Sequence, residues 1–299
     1  MPAAHSTSAA TACAPSAIRQ RGVTLVELMV GIAIGLLVIA VALGALMASR
    51  GISGTVSEAT SMQQQAAYAF RVIGQQIRQA GGLELSLDPG FTLTPASETN
   101  AAMSPVAFDA PDPTGARPPF NRASSTLTGE ASPLSFSVGY QNYTEAITQP
   151  ASSATTTSSL LRDCLGQNAA LGTGGSLAAT PVLTSQFTRD STTNELKCSG
   201  AGGSGAQAII GNVTDLQVRY IRQVTGTTNL QYQKAADAAA DTNWTNIYGI
   251  EVCLELTGTE QVPTPGATYI NCSDHETSYG NHLKMVFRNV YQLRSQGQT

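Results

Sequence analysis

The chain has 299 residues, a hydrophobic fraction of 42% and only 12% charged residues, about half the charged share of an ordinary soluble domain. Its formal net charge of −4 lacks the basic excess with which proteins neutralise the phosphates of DNA or RNA. The composition therefore predicts a chain that can bury one sizeable core and that has no nucleic-acid partner.

The first predicted element is an apolar helix near the N-terminus. Leu28 to Ala48 contains no charged side chain, and as a helix it spans about 30 Å, the thickness of a bilayer's hydrocarbon core. A secretory signal would have a shorter apolar region followed by its cleavage site, whereas Gly22 here precedes the apolar run. The segment predicts a membrane span with one carboxylate, Glu27, at its edge. A carboxylate in lipid is costly and needs a partner.

The sequence RQRGVTLVE at 19–27, followed by the apolar run, resembles the type IV prepilin motif. The resemblance implies that a prepilin peptidase cuts after Gly22, that Val23 becomes the N-terminus and is N-methylated, and that Thr24 and Glu27 serve assembly. Val23 stands where the family usually has phenylalanine or methionine. In the family, the acid pairs with the N-terminal amine of a neighbouring subunit, so assembly satisfies a charge that lipid penalises. The alternative is a carboxylate that extends to the membrane interface.

The cysteines support an exported protein. There are five of them: Cys13, Cys164, Cys198, Cys253 and Cys272. Cleavage after residue 22 removes the first and leaves four, which can pair completely. Three connectivities are possible, and local closure favours Cys164 with Cys198 and Cys253 with Cys272, each bridge contributing about 3 to 4 kcal/mol. An oxidising periplasm suits them, and without Cys-x-x-Cys spacing we expect no zinc or other metal.

The helix is predicted to continue from Ile52 to Ala80, where Gly81 and Gly82 end it. Its predicted apolar stripe is Val56, Ala59, Ala66, Phe70, Ile73 and Ile77. From Leu83 to about Pro133 the prolines exclude a long element. Leu134 to Tyr140 alternates as a half-buried strand does. Thr144 to Ser159 and Gly166 to Ser176 are predicted to be exposed loops.

Three alternating strands are predicted in the C-terminal third, at Leu216–Tyr220, Tyr248–Leu256 and Leu283–Leu293. Such an antiparallel sheet needs a cover, which the stripe of the helix supplies. The predicted fold is α+β, with a long N-terminal helix on a C-terminal antiparallel β-sheet head, as the pilin resemblance also implies. The predicted divisions are a leader at 1–22, a transmembrane and assembly helix at 23–51, its amphipathic half at 52–82, and a β-rich head with two disulfides at 83–299.

No motif in the head predicts catalysis or a cofactor. Gly200 to Gly205 has G-x-G-x-x-G spacing, but a strand rather than a helix is predicted after it. His275, Glu276 and His282 lack the spacing of a metal motif, and with so few histidines a catalytic triad has few possible bases. The sequence therefore predicts no enzyme.

Five further segments resemble PilW-type minor pilins: RVIGQQIRQAGG at 71–82, DCLG at 163–166, LKCSG at 196–200, VTDLQVRY at 213–220 and MVFRNVYQLRS at 285–295. The resemblance implies a non-catalytic minor pilin that helps to initiate type IV pilus assembly near the tip and takes part in twitching motility. It implies as partners other minor pilins, the major pilin, the prepilin peptidase, the inner-membrane assembly platform and a tip adhesin.

The same resemblance implies a single-pass inner-membrane protein with a periplasmic head, later part of the pilus. Two alternatives stay open. One is a minor pseudopilin of a type II secretion system, which uses the same leader, helix and head. The other is a tip adhesin whose loops bind a surface, although no aromatic-rich or basic groove marks such a site.

Overall fold

The computed structural model describes residues 22–83, 120–143, 145–148, 155–168, 182–224, 226–227, 229–240, 244–262 and 266–293. Its first element is helix α1, Leu25–Gln79, which confirms the predicted long N-terminal helix. The chain divides into two compact units, Met1–Ser53 and Gly54–Thr299. Within the first unit, the described residues of α1 are exposed except Gly35, which is partly covered.

In the second unit, one face of α1 is buried. Met62, Ala66, Ala69, Ile73 and Ile77 are each at most 2% exposed, at the spacing of three and four residues that keeps side chains on one helix face. The prediction for Val56 is wrong, because its side chain is 60% exposed. At 100° per residue, Val56 lies about 120° around the helix from Met62, so its side chain lies outside the buried face.

The helix ends as predicted. Gly81 adopts a positive φ of 70°, a backbone conformation that glycine reaches without steric cost. The Gly82 N–H donates to the Gln79 carbonyl oxygen, and the Gly81 N–H donates to the Gly139 carbonyl oxygen at 2.8 Å. The chain therefore leaves the helix directly alongside a strand of the head.

The remaining elements are two short helices, a 3₁₀ turn and strands. The helices are α2, Arg122–Ser125, and α3, Ala235–Ala240, and the turn is Trp244–Asn246. The strands are β1 Leu127–Ala131, β2 Leu134–Gln141, β3 Glu145–Thr148, β4 Thr155–Ser158, β5 Val182–Asp190, β6 Glu195–Gly200, β7 Gln207–Ile210, β8 Val213–Gln223, β9 Leu230–Lys234, β10 Ile247–Gln261, β11 Thr268–Ile270, β12 Glu276–Ser278 and β13 His282–Gln292.

The strands form two larger antiparallel sheets and two hairpins. The first sheet has the order β1-β2-β5-β6-β7 and the second the order β13-β10-β8-β9, while β11 pairs with β12 and β3 with β4. The predicted strand at 134–140 and the three predicted C-terminal strands are confirmed as β2, β8, β10 and β13. The prediction of one sheet was too simple, because β1, β2, β5, β6 and β7 form a sheet separate from that of the C-terminal strands. The prediction of an exposed loop at 144–159 was also wrong, because β3 and β4 lie there and Ser159 is fully buried.

One core joins the helix to both sheets. It contains the buried face of α1, Phe136 and Phe187 from the first sheet, and Ile250 and Leu254 from the second. The Phe136 and Phe187 rings stack with centroids 5.1 Å apart, and burial of such large rings is among the strongest contributions to a core. The α+β arrangement of a long helix with antiparallel sheets is thus confirmed.

Candidate assembly site at the helix N-terminus

The predicted processing and assembly residues lie at the beginning of α1. Leu28 N–H donates to the Thr24 carbonyl oxygen at 3.1 Å, which is the first hydrogen bond of the helix. Thr24 therefore occupies the N-cap position, and Glu27 lies three residues into the helix. Gly22 and Val23 precede the helix, and Val23 is 70% exposed.

Thr24 and Glu27 bind each other in a reciprocal arrangement. The Thr24 N–H and hydroxyl both donate to Glu27 Oε2 at 3.1 Å, and the Glu27 N–H donates to Thr24 Oγ1 at 3.3 Å. This is a capping box, in which the first and fourth residues satisfy each other's free backbone donors. The carboxylate is also favoured by the positive end of the helix dipole.

The capping box fixes where the negative charge lies. Glu27 is exposed, and its hydrogen bonds among the described residues all go to one carboxylate oxygen, Oε2. A carboxylate has lone pairs to accept several donors, so it can take a further donor such as an ammonium group. The site is therefore the Glu27 carboxylate, held at a fixed position about one helical turn from Val23, the predicted new N-terminus.

The residues around this carboxylate are strongly apolar. Leu25 is 74% exposed and Leu28 is 58% exposed. Among the described residues, α1 is the one helix long and apolar enough to cross a membrane, with a mean hydropathy of 2.7 in its most apolar window; a signal sequence meets the same criterion. An apolar surface this extensive favours burial in lipid or against other helices.

The four head cysteines form two disulfides in the structure. Cys164 is joined to Cys198, with Cα atoms 6.4 Å apart, and Cys253 is joined to Cys272, with Cα atoms 5.7 Å apart. The first links the segment after β4 to β6, and the second links β10 to the turn between β11 and β12. Both separations lie in the usual range for disulfides.

The other sequence features occupy structural positions. The glycines at 200–205 connect β6 to the antiparallel β7, which is not the strand-to-helix turn of a dinucleotide site. His275 lies in a turn, where its N–H donates to Asn271 Oδ1, and Glu276 accepts a hydrogen bond from Thr268. Within the described ranges, no group of three or more His, Cys, Asp or Glu side chains could hold a metal ion.

A polar contact that the sequence does not predict joins the helix to the first sheet. Gln76 is 3% exposed, and its Oε1 accepts a hydrogen bond from Ser185 Oγ at 3.0 Å. The Tyr140 hydroxyl donates to the Arg162 carbonyl oxygen beside them, and burial raises the Tyr140 pKa. A polar residue on the apolar face of a helix was the available signal, since Gln76 falls between Ile73 and Ile77.

A second contact that the sequence does not predict involves Glu58 on α1. Its Oε1 accepts hydrogen bonds from the backbone N–H groups of Thr259 and Glu260, the latter at 2.9 Å. These donors lie where the pairing of β10 with β13 is irregular, between Thr257 and Gln261, so the strand leaves N–H groups free for a side-chain acceptor. Nothing local in the sequence indicates this partner, which lies about 200 residues away along the chain.

Comparisons with known proteins bear on the N-terminal segment. Residues 18–43 match the family model of the prokaryotic N-terminal methylation motif. The search of curated proteins finds no match. Among solved structures, a type IV-like pilin from Thermus thermophilus is similar at a TM-score of 0.30 and 9% identity, over 58% of this chain and 86% of that chain. At this TM-score and identity, the similarity gives no information about the function of the chain.

The matched motif lies at the beginning of the long helix. The chain combines a prokaryotic N-terminal methylation motif at residues 18–43 with a long apolar N-terminal helix and an antiparallel β head. The motif and the apolar helix fit an N-terminal membrane anchor.

Proposed function

We propose that this protein is a non-catalytic minor pilin that helps to initiate type IV pilus assembly near the tip. The observation that carries the proposal is the Glu27 carboxylate, which is held by Thr24 at the exposed beginning of an apolar helix. A fixed anion in an apolar setting is suited to receive one cation from a neighbouring chain, because pairing is stronger where water is excluded.

Cleavage after Gly22 supplies that cation in each subunit. The Val23 nitrogen then becomes an N-terminal ammonium group, and its N-methylation keeps the positive charge. In the capping box, Glu27 Oε2 already accepts the two Thr24 donors, so the carboxylate is partly hydrogen-bonded before assembly, but these neutral donors do not balance its charge. A neighbour's ammonium group then adds a charge-assisted hydrogen bond, which removes the cost of an unpaired acid in lipid.

The head supports the same assignment. Two disulfides suit an oxidising compartment, as expected for a periplasmic head anchored in the inner membrane. The PilW-like segments favour a minor subunit, whose partners would be other minor pilins, the major pilin, the prepilin peptidase, the assembly platform and a tip adhesin. Its proposed activity is assembly.

The test counts surface pili by electron microscopy in a strain that still makes its major pilin. Deletion of this subunit should reduce pili, and blocking retraction should partly restore them. Glu27→Ala should reproduce the loss, because the neighbour's ammonium group then has no acceptor. Glu130→Ala is the matched control, since Glu130 is an exposed acid on β1, far along the chain from the site.

Two rival functions predict other results. A tip adhesin would leave the number of pili normal and abolish surface attachment. A pseudopilin of a type II secretion system would leave pili intact and block export of a secreted protein. Normal piliation in the deletion strain would therefore overturn the proposal.

A further inference from the structure

Strand β9, Leu230–Lys234, lies at the edge of the second sheet. It pairs with β8 on one side, and no described strand pairs with it on the other. An edge strand presents a row of unpaired N–H and C=O groups, which is a template for another extended chain. The backbone of β9 is therefore able to accept a further strand.

The side chains of β9 that face away from the core are large and exposed. Tyr232 lies opposite Ile221 in the register with β8, and the neighbouring Tyr220 points into the core with no exposure. Because side chains alternate along a strand, Leu230 and Tyr232 share the outer face. They are 58% and 61% exposed.

The outer face continues across the sheet to Ile221 and Gly249. Gly249 on β10 lies opposite Ile221 on the same outer face, and the Ile221 side chain packs over it. Next to it, the Tyr248 hydroxyl donates to Gln223, which lies opposite Leu230. We call Leu230, Tyr232, Ile221 and Gly249 the β9 surface. Tyrosine is among the residues enriched in the anchors of protein–protein interfaces, and Tyr232 is the exposed tyrosine of this surface.

The charge at this edge is positive, and no carboxylate among the described residues pairs with Lys234. Lys234 is exposed and lies opposite Arg219 on β8, and like charges facing each other across strands are unfavourable. Arg219 is paired with Asp274 and, at 3.6 Å, with Glu251. Lys234 has no carboxylate partner within the part of the chain that the structure describes. An incoming acidic side chain would supply one.

The opposite edge of the same sheet differs. On β13, Arg288 is paired with Asp274 and Glu251, and Lys284 is 3.6 Å from Glu255. The basic groups Arg288 and Lys284 are thus paired within the chain. Of the two edges, β9 is the one with two large exposed apolar side chains and a positive charge that no described carboxylate pairs with.

We propose that the β9 surface binds an extended segment of another protein, which adds to the second sheet as a further strand. The segment places apolar side chains opposite Leu230 and Tyr232 and an acidic side chain opposite Lys234. Main-chain hydrogen bonds supply the affinity, and the two apolar contacts with the acid–lysine pair supply register and specificity.

The probe is the peptide fluorescein-Ser-Glu-Thr-Val-Thr-Val-Ser-amide, whose Glu and two Val residues alternate as the surface requires. Its binding to the full chain in lipid nanodiscs is measured by anisotropy. A peptide with Lys in place of Glu should bind about fivefold more weakly, and Lys234→Glu should reverse the preference. Tyr232→Ser should weaken binding about tenfold.

Tyr68→Ser is the matched control, because Tyr68 on α1 is 56% exposed but lies in a helix; it should leave binding unchanged. N-methylation of alternate peptide nitrogens tests main-chain pairing, since only one of the two alternate sets should abolish binding. Fluorescence of the single tryptophan, Trp244, shows that each variant is folded.

Failure of every peptide to bind at about 1 mM would overturn the proposal. Equal affinity of the Glu and Lys peptides would also overturn the proposal. So would equal loss of binding by the two peptides that are N-methylated at alternate sets of nitrogens. Self-association of the chain that Tyr232→Ser abolishes would overturn it in favour of a second copy as the occupant. None of these results depends on counting pili, so the proposed function and this inference can fail separately.

Discussion

The Tyr291 ring on β13 lies against Gly74 of α1, so close that a methyl group at Gly74 would come within 2.6 Å of Tyr291 Cε1. The Tyr291 hydroxyl donates to the Phe70 carbonyl oxygen at 2.7 Å, one turn earlier on the helix. Burial raises the pKa of Tyr291 to about 12. The last strand of the head is therefore attached to the helix by a tyrosine that only a glycine admits.

Gly74→Ala should destabilise the head by about 1 to 2 kcal/mol, because the clash with Tyr291 outweighs the better helix propensity of alanine. In a Tyr291→Ala background, the same change should instead stabilise it by about 1 kcal/mol. Chemical unfolding of the full chain, followed by Trp244 fluorescence, measures both values. The same sign in both backgrounds would contradict the packing described.

The N-terminus of the processed protein should be Val23. The junction follows two arginines and precedes α1, so cleavage removes the leader and leaves the apolar helix intact. Mass spectrometry of the protein from cells with a prepilin peptidase should find N-methylated Val23, and cells without the enzyme should retain the leader. A different first residue would contradict the assignment of the leader.

Peptide mapping without reduction should recover Cys164 linked to Cys198 and Cys253 linked to Cys272. Removal of either pair by alanine should cost about 3 to 4 kcal/mol, the stabilisation expected for loops of 34 and 19 residues. A single Cys198→Ala change should cost more than the double change, because it leaves a thiol without its partner. Crossed pairs in the map would refute this connectivity.

The hairpin of β11 and β12 should loosen in acid. The hydrogen bond from Arg219, with a further one from Arg288, holds the pKa of Asp274 below its ordinary value. A depressed carboxyl pKa means that the contribution to stability is complete above the ordinary aspartate pKa, about 4, and is lost as the pH falls through the lower folded value. Hydrogen exchange at 266–281, corrected for its intrinsic pH dependence, should increase in that range.

Asp274→Asn should remove this pH dependence, and Asp237→Asn, which changes an exposed acid on α3, should leave it unchanged. Because Asp274 is well exposed, the effect should be local to the hairpin, without global unfolding. An acid-induced loosening of equal size in Asp274→Asn would show that another group is responsible.

The sequence by itself determined the features that depend on neighbouring residues. The uncharged run and the glycines at 81–82 predicted the positions of both ends of α1, and the alternation of apolar and polar residues predicted β2, β8, β10 and β13. The spacing of Thr24 and Glu27 is also local, since a capping box needs only a threonine and a glutamate three residues apart. Local hydrogen bonds and side-chain periodicity are sufficient for such features.

The tertiary structure alone decided which distant segments meet. Glu58 receives donors from Thr259 and Glu260, and Gln76 receives one from Ser185, because folding places these chain segments side by side. The same holds for β9, whose edge position depends on the order of strands in its sheet. Strand order and register are set by which apolar faces are buried together, and that choice is made over the whole chain rather than within any local stretch.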